Sequence, residues 1–279
     1  MRIAVTGGSG KLGSQVLLTL REAGHLVTNL DRAVERGNGI MVDLTDYGQV
    51  VDVLSGVHGE IDGFDAVVHL GAIPAPGIAP DSATFHNNML ATFNVFQGAR
   101  RAGIRQIVYA SSETLLGIPF DTPPPYFPLD EEYESRPEST YAVVKHLEEE
   151  LAQKLVRWDP ELSITALRFS NVMVEGDYAA FPSYDADPLL RKWNLWGYID
   201  ARDGAQAALK AIEARLPGFE TFIIANADTV MSRPNSELVA EVFPGVEIRG
   251  DLGTNDTLLS IGKARRMLGY EPQFGWARP

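Results

Sequence analysis

The chain contains no cysteine, which excludes a disulfide framework, a zinc–thiolate centre and a thiol nucleophile. No run approaches eighteen consecutive apolar residues, so no membrane-spanning helix is expected. The opening residues "MRIAVTGG" pass directly into strand-like sequence, without the basic and apolar regions of a secretory signal. Together these features set the expectation of a cytoplasmic protein. Positive charge is scarce. Lys and Arg number 24 against 37 Asp and Glu, for a formal net charge of −13. Such a balance repels phosphate backbones, so no nucleic-acid partner and no membrane surface are expected. No internal repeat or low-complexity block stands out, and no metal-ligand spacing is visible. What remains is ordinary soluble composition, 45% hydrophobic and 22% charged, over 279 residues. That length suits one large domain or two small ones.

Strand-like and helix-like runs alternate from the first residue. "RIAVTGG" is an apolar strand ending in glycines, and "KLGSQVLLTLREAG" has helical periodicity that stops at Gly24. "HLVTNLD", "GIMVDL", "DAVVHLGA", "QIVYASS" and "LSITALRFSNV" read as further strands. Helices are expected at Tyr47–Leu54, at about Asp81–Ala102 and at Ser139–Trp158. Strands this apolar are buried on both faces, which predicts an α/β fold: a doubly wound parallel sheet with right-handed crossovers. After Val172 the pattern loosens into proline-rich and aromatic sequence. "FETFIIANA" is the last strong strand, and Pro119–Ser139 is a long turn-rich loop of the kind that is usually functional or disordered.

"TGGSGKLG" lies between the first strand and the first helix, with Gly7, Gly10 and Gly13 at a three-residue spacing. A pyrophosphate at a helix N-terminus needs a tight turn, close backbone approach and close helix–strand packing, which glycines allow. Asp31 ends the second strand. A carboxylate there accepts hydrogen bonds from an adenosine ribose and repels a 2′-phosphate, favouring NAD over NADP. Arg32 pulls the other way, since a guanidinium can hold that phosphate. Asp43 ends the third strand, either at an adenine edge or as part of a helix N-terminus. Tyr141 and Lys145 sit four residues apart in "YAVVK", on one face of the expected helix.

With these motifs in order, the chain resembles the extended short-chain dehydrogenase/reductase family, which is also the NAD-dependent epimerase/dehydratase family. The resemblance rests on "TGGSGKLG", "DL" at 43–44, "HLGA" at 69–72, "NNMLATFNVFQGAR", "YASSETLLG", "YAVVK", "LRFSNV", "YIDARDGAQAA" and "SIGKARRMLGYEP". It implies a Rossmann-type core over 1–172, completed by about 195–227. It also implies a small substrate-facing C-terminal lobe from 173–194 and 228–279. Tyr141 matches the family's catalytic acid/base, Lys145 the lysine that holds the nicotinamide ribose, Ser112 the hydroxyl that orients the substrate oxygen, and Asn88 a structural and relay asparagine. The implied cofactor site takes in Gly7, Gly10, Lys11, Leu12, Gly13, Asp31, Arg32, Asp43, Leu44, Leu70, Gly71 and Ala72, with Asn88, Tyr141 and Lys145. Ser112, Glu113, Asn171 and Arg191 are expected on the substrate side, with Arg191 either opposite a substrate carboxylate or simply a surface cation. Arg168 is expected in a structural ion pair. An unperturbed tyrosine titrates near pH ~10. The ammonium of Lys145 and a positive nicotinamide are expected to pull it down, which for ~2–3 units takes roughly 3–4 kcal/mol.

Departures from the family pattern narrow the expected reaction. Glu113 and Thr114 follow Ser112 where dehydratases carry an Asp-Glu pair, so dehydration is not expected. Only Met173–Gly197 separate "LRFSNV" from "YID", with Arg191 and Lys192 the only basic residues in that interval. A nucleotide diphosphate wants several cations. The expectation is therefore an NAD-dependent oxidoreductase of a free sugar or sugar acid, similar to uronate dehydrogenase. The alternative is an epimerase of a sugar or sugar nucleotide. "WNLWGY" is expected mainly in the core. A homodimer is expected through helices bearing Met89, Phe93 and Phe96, and Leu147 and Leu151.

Overall fold

The computed structural model describes residues 1–34, 39–56 and 63–276. In the first half of the chain the elements run β1 (Arg2–Thr6), α1 (Lys11–Glu22), β2 (Leu26–Asp31), β3 (Ile40–Met41), α2 (Tyr47–Leu54), β4 (Ala66–His69), α3 (Asp81–Arg101), β5 (Gln106–Ser112) and β6 (Tyr126–Phe127). Then follow α4 (Thr140–Trp158), β7 (Ser163–Phe169), β8 (Val172–Met173), α5 (Leu189–Lys192), β9 (Ile199–Asp200), α6 (Ala201–Ala214), β10 (Gly218–Ile224), α7 (Asn235–Val242), β11 (Glu247–Ile248) and α8 (Gly262–Leu268).

Seven strands form one sheet in the order β10-β7-β5-β4-β1-β2-β3, and every pairing in it is parallel. This is the expected doubly wound α/β fold. The strand alternation explains its two layers. Ile3 and Val5 of β1 face one apolar cluster with Val16 and Leu20 of α1 and Ala208 and Ile212 of α6. Ala4, between them, faces the other with Val50 of α2, Val95 and Phe96 of α3 and Leu155 of α4. Period-2 side chains thus feed a helical layer on each side. Strand order reverses between β1 and β4, and ligands of open α/β sheets bind outside the carboxyl ends at such a point.

Several expected strands end early, each for a local reason. "GIMVDL" keeps only Ile40–Met41 as strand, because Asp43 Oδ1 accepts from both the N–H and the hydroxyl of Thr45 and turns the chain. β4 stops at His69, where Leu70 and Gly71 donate to Thr6 Oγ1. The long loop after β5 is tied down. Its β6 pairs with β11, and Leu129 bridges Leu259.

α4 carries the residues that matter most. Ser139 caps it, accepting from the Ala142 N–H. Tyr141, Lys145, Glu148 and Ala152 recur at helical spacing and are all buried. Beside them Glu149 grips Arg168 of β7 through Nε at 3.0 Å and Nη2 at 2.7 Å. Ser111 also donates to Glu149. Phe96, expected at a subunit interface, instead packs edge-on between His69 and Tyr109 in the core. Phe93 and Leu147 remain exposed, at 42% and 36%. Of "WNLWGY", Trp196 and Tyr198 are fully buried, while Trp193 reaches a cavity wall.

Removing one partner of a buried, bidentate pair leaves a charge without compensation. Arg168→Ala should therefore cost about 3–5 kcal/mol. Replacing both partners with Met should cost less than either single change, as read from urea midpoints at pH 7.

Candidate active site

A cavity of about 880 Å³ opens at the carboxyl edge of the sheet. The turn after β1 builds one end. Gly7 has φ +69°, and a Cβ on it would lie 2.7 Å from Gly71 Cα. At Gly13 a Cβ would lie 2.1 Å from Gly7 O. Only glycines let these backbones meet. Gly10 caps α1 without a side-chain partner for the first-turn N–H groups, and no acid sits in that turn. Free N–H groups at a positive helix end suit a phosphate. The residues here therefore fit a dinucleotide.

At the adenosine end, Asp31 accepts from the Ser9 N–H at 3.0 Å. Arg32, also on the cavity wall, is held by Asn87 and by Asp43, 3.5 Å off. Asp43 lies beside the cavity rather than on its wall. The Thr45 N–H and hydroxyl hold its carboxyl below its ordinary pKa, with Arg32 adding to the shift. It acts as the anchor of a turn, while Asp46 caps α2. Asn88 is also off the wall. Its amide donates to Ile73 O and accepts from Ile73 N–H, so it shapes the segment after β4. The other expected residue off the wall is Arg191.

At Tyr141 the chain's own groups supply only part of the expected environment, which also includes a positive nicotinamide. The Tyr141 pKa is raised, because burial outweighs the help of Lys145, and the Glu148 charge opposes that help. The Lys145 ammonium lies 5.8 Å from the Tyr141 ring centre. It donates to Ala110 O at 2.8 Å and to Glu148 at 2.9 Å. Two of its three N–H groups are thus spoken for, and the third remains for a ligand. Burial disfavours this ammonium, yet Glu148 and Tyr141 leave its pKa raised overall.

Glu148 starts a hydrogen-bonded line that crosses the sheet. Thr92 donates to Glu148 at 2.9 Å. The Thr92 hydroxyl proton being used there, His69 Nε2 must be the donor to Thr92 Oγ1, 3.1 Å away. His69 Nδ1 then accepts from Thr6, at 2.7 Å. Burial, with Lys145 second, pulls the imidazole down to about 3, so it stays neutral. Glu148 was not among the expected residues. Its signal was available: it lies three residues after Lys145, on the buried face of the same helix. The apolar wall Ile73–Pro76 after β4 was also missed, although a proline-rich run at a strand's carboxyl end marks a loop over the site.

Ser112 accepts from the N–H and hydroxyl of Thr114. Glu113 beside it is buried, and burial lifts its pKa to about 7 against the hydroxyl of Ser170 and the amide of Asn194. Ser170 acts on it without completing a hydrogen bond of normal geometry. Among the described residues no group of His, Asp and Glu could hold a metal, and no helix is long and apolar enough to cross a membrane.

The chain belongs to the NAD dependent epimerase/dehydratase family, whose model matches residues 3–225. It is similar to a UDP-glucose 4-epimerase of Bacillus subtilis (strain 168), 29% identical over 228 residues. That match covers 76% of this chain and 62% of the relative, so the chain spans less than two thirds of that protein's length. Among solved structures, a UDP-galactose 4-epimerase superposes with a TM-score of 0.69 at 26% identity, covering 98% of this chain and 94% of that one. MoeE5, solved with UDP-glucuronic acid and NAD, gives a TM-score of 0.70 at 25% identity, covering 99% and 95%. A short interval between β8 and β9 therefore does not separate this chain from proteins named for nucleotide sugars.

A raised carboxyl pKa means that the folded chain holds the proton more tightly than the unfolded one. Its stabilising effect is full below about 4.5 and is lost as pH rises through about 7. Asp203, raised to about 6 by burial, acts in the same direction. Glu113→Gln should remove its share, up to about 3 kcal/mol. The variant should lose less stability than wild type between pH 5 and pH 8, as read from urea midpoints.

Proposed function

We propose that this chain is an NAD-dependent enzyme that oxidises and reduces a carbinol carbon of a sugar or sugar nucleotide, with epimerisation as the first reading. The observation that carries it is the convergence of Ser112, Tyr141 and Lys145 on one cavity wall, in the same cavity as the glycine turn. Bound NAD would supply the hydride acceptor and a positive charge beside the phenol. Gly7, Gly10 and Gly13 let the backbone approach its pyrophosphate, and Lys11 and Leu12 begin the helix that faces it. Asp31 takes the adenosine ribose, Lys145 the nicotinamide ribose. Leu44, Leu70, Gly71 and Ala72 line the path between them.

Ser112 orients the substrate hydroxyl and Tyr141 takes its proton. For an epimerase, the ketone turns within the site and Tyr141 returns the proton. Burial has to be overcome before Tyr141 can act as a base. The Lys145 charge does part of this, and Glu148 holds that charge in place. Asn171 borders the substrate side.

A second reading is net dehydrogenation of a free sugar, as in uronate dehydrogenase. One observation favours it. Cations in or bonded to the short segment between β8 and β9 are already engaged: Lys192 with Asp121 and Lys11 with Asp177. A diphosphate would have to compete for them.

Tyr141→Phe should keep the fold and NAD binding and lower turnover roughly 10²–10⁴-fold. In wild type the rate of alcohol oxidation should rise with pH as Tyr141 ionises, and that limb should vanish in the variant. UDP-glucose, UDP-galactose, glucose and glucuronate are the probes. Conversion without net NADH marks an epimerase, and accumulation of NADH marks a dehydrogenase. Near-normal turnover by Tyr141→Phe would remove the mechanism. Calorimetry with NADP in place of NAD tests Asp31, and equal affinity would give that corner to Arg32.

A homodimer through the exposed Phe93 and Leu147, with Met89 and Leu151 beside them, goes with this reading. Light scattering at micromolar concentration should give twice the chain mass, and a monomer would end the idea.

A further inference from the structure

Next to Ser112 lie four buried polar side chains with atoms that no protein group meets. Glu113 Oε2, Ser170 Oγ, Arg191 Nε and Asn194 Oδ1 each lack a hydrogen-bond partner within the chain. All four residues are more than nine-tenths buried. Their other atoms tie them into one cluster. Asn194 Nδ2 donates to Glu113 Oε1 at 3.3 Å and to Gly197 O at 2.8 Å. Arg191 Nη2 donates to the same Gly197 O at 3.0 Å. The Arg191 guanidinium stacks 4.8 Å from the Trp193 ring centre. Glu113 and Ser170 stand on the cavity wall with Ser112, and Arg191 and Asn194 stand behind it.

Leaving a buried polar atom unmet is costly, and native chains leave few. Two of these atoms, Glu113 Oε2 and Ser170 Oγ, belong to residues on the cavity wall beside the hydroxyl read as catalytic, and they point to a ligand that completes them. The set decides which ligand. Ser170 on the wall can donate or accept, while Asn194 and Arg191 hold Glu113 from behind. Glu113 accepts when ionised and also donates when protonated, and near neutrality both forms are present. A hydroxyl group matches such a mixed set. A carboxylate offers acceptors only. It would also meet Glu113, whose charge offsets that of Arg191.

We infer that this cluster is a second substrate anchor, which takes hydroxyl groups of a neutral sugar ring beside the reacting carbinol and discriminates against a ring carboxylate, with Glu113 as the specificity-determining residue. The inference rests on the sugar reading above. It replaces the expectation that Arg191 pairs with a substrate carboxylate. Arg191 instead compensates Glu113 from behind the wall.

The test uses the full chain saturated with NAD and two probe pairs, glucose with glucuronate and UDP-glucose with UDP-glucuronate. Dissociation constants are measured by calorimetry for wild type, Glu113→Gln and Glu113→Ala. In whichever pair binds, the neutral member should bind wild type about tenfold tighter or better. Glu113→Gln should weaken the neutral member and strengthen the acid one, because the charge of Arg191 is then uncompensated. The preference should collapse by about tenfold or more, and Glu113→Ala should weaken the neutral member further. Retained NAD affinity in both variants shows that the fold survives. Wild-type preference for the uronate would overturn the inference. So would an unchanged ratio in Glu113→Gln, the result expected if the cluster only holds internal water. Binding of NAD with no binding of either pair would instead sink the sugar reading itself, and the inference with it.

Discussion

The buried ion pair between Lys145 and Glu148 is the interaction on which the site depends. An ammonium at this depth is costly unless a charge and further acceptors meet it. Glu148 supplies the charge, and Ala110 O the second acceptor. Glu148 is in turn met by Thr92, Thr92 by His69, and His69 by Thr6. Thr6 also receives the N–H groups of Leu70 and Gly71. One line of hydrogen bonds therefore joins the lysine of α4 to the ends of β1 and β4, where the strand order reverses.

The same pair sets a balance at Tyr141. Lys145 favours the phenolate, Glu148 opposes it, and burial opposes it most. A tyrosine enclosed in this way keeps its proton in the free protein. Its environment changes only when a further positive charge arrives beside it. Glu113, on the other side of Ser112, is also shifted by burial. A phenol and a carboxyl, both held toward their neutral forms, flank the hydroxyl that would orient a substrate. Within the chain, the Arg168–Glu149 pair lies alongside as a purely structural brace between β7 and α4.

Much of this was legible in the sequence because it is local. Apolar runs with glycine ends specify strands, and their burial on both faces specifies a parallel sheet. The glycine spacing specifies a turn at a helix N-terminus, since no other residue fits Gly7 or Gly13. Tyr141 and Lys145 must share a face because the helical period places them there. These conclusions need only neighbours within a turn or a strand, and they hold in the fold.

What only the tertiary structure decided depends on which distant side chains meet. Asp43 and Asn88 look like ligand-facing residues in sequence, but Thr45 and Ile73 claim their polar atoms first. Arg191 reads as a surface cation, yet the fold buries it against aromatic rings behind Glu113. Phe96 has the spacing of an interface residue, but His69 and Tyr109 enclose it. The ammonium four residues from Tyr141 is visible in sequence, but the depth of burial that opposes it is not. Glu148 shares a helix face with Lys145 in any reading. That it is buried and bonded to Thr92 comes only from the packing of α3 on α4. Periodicity assigns a residue to a face, and contacts between elements decide which of its atoms remain available to a ligand.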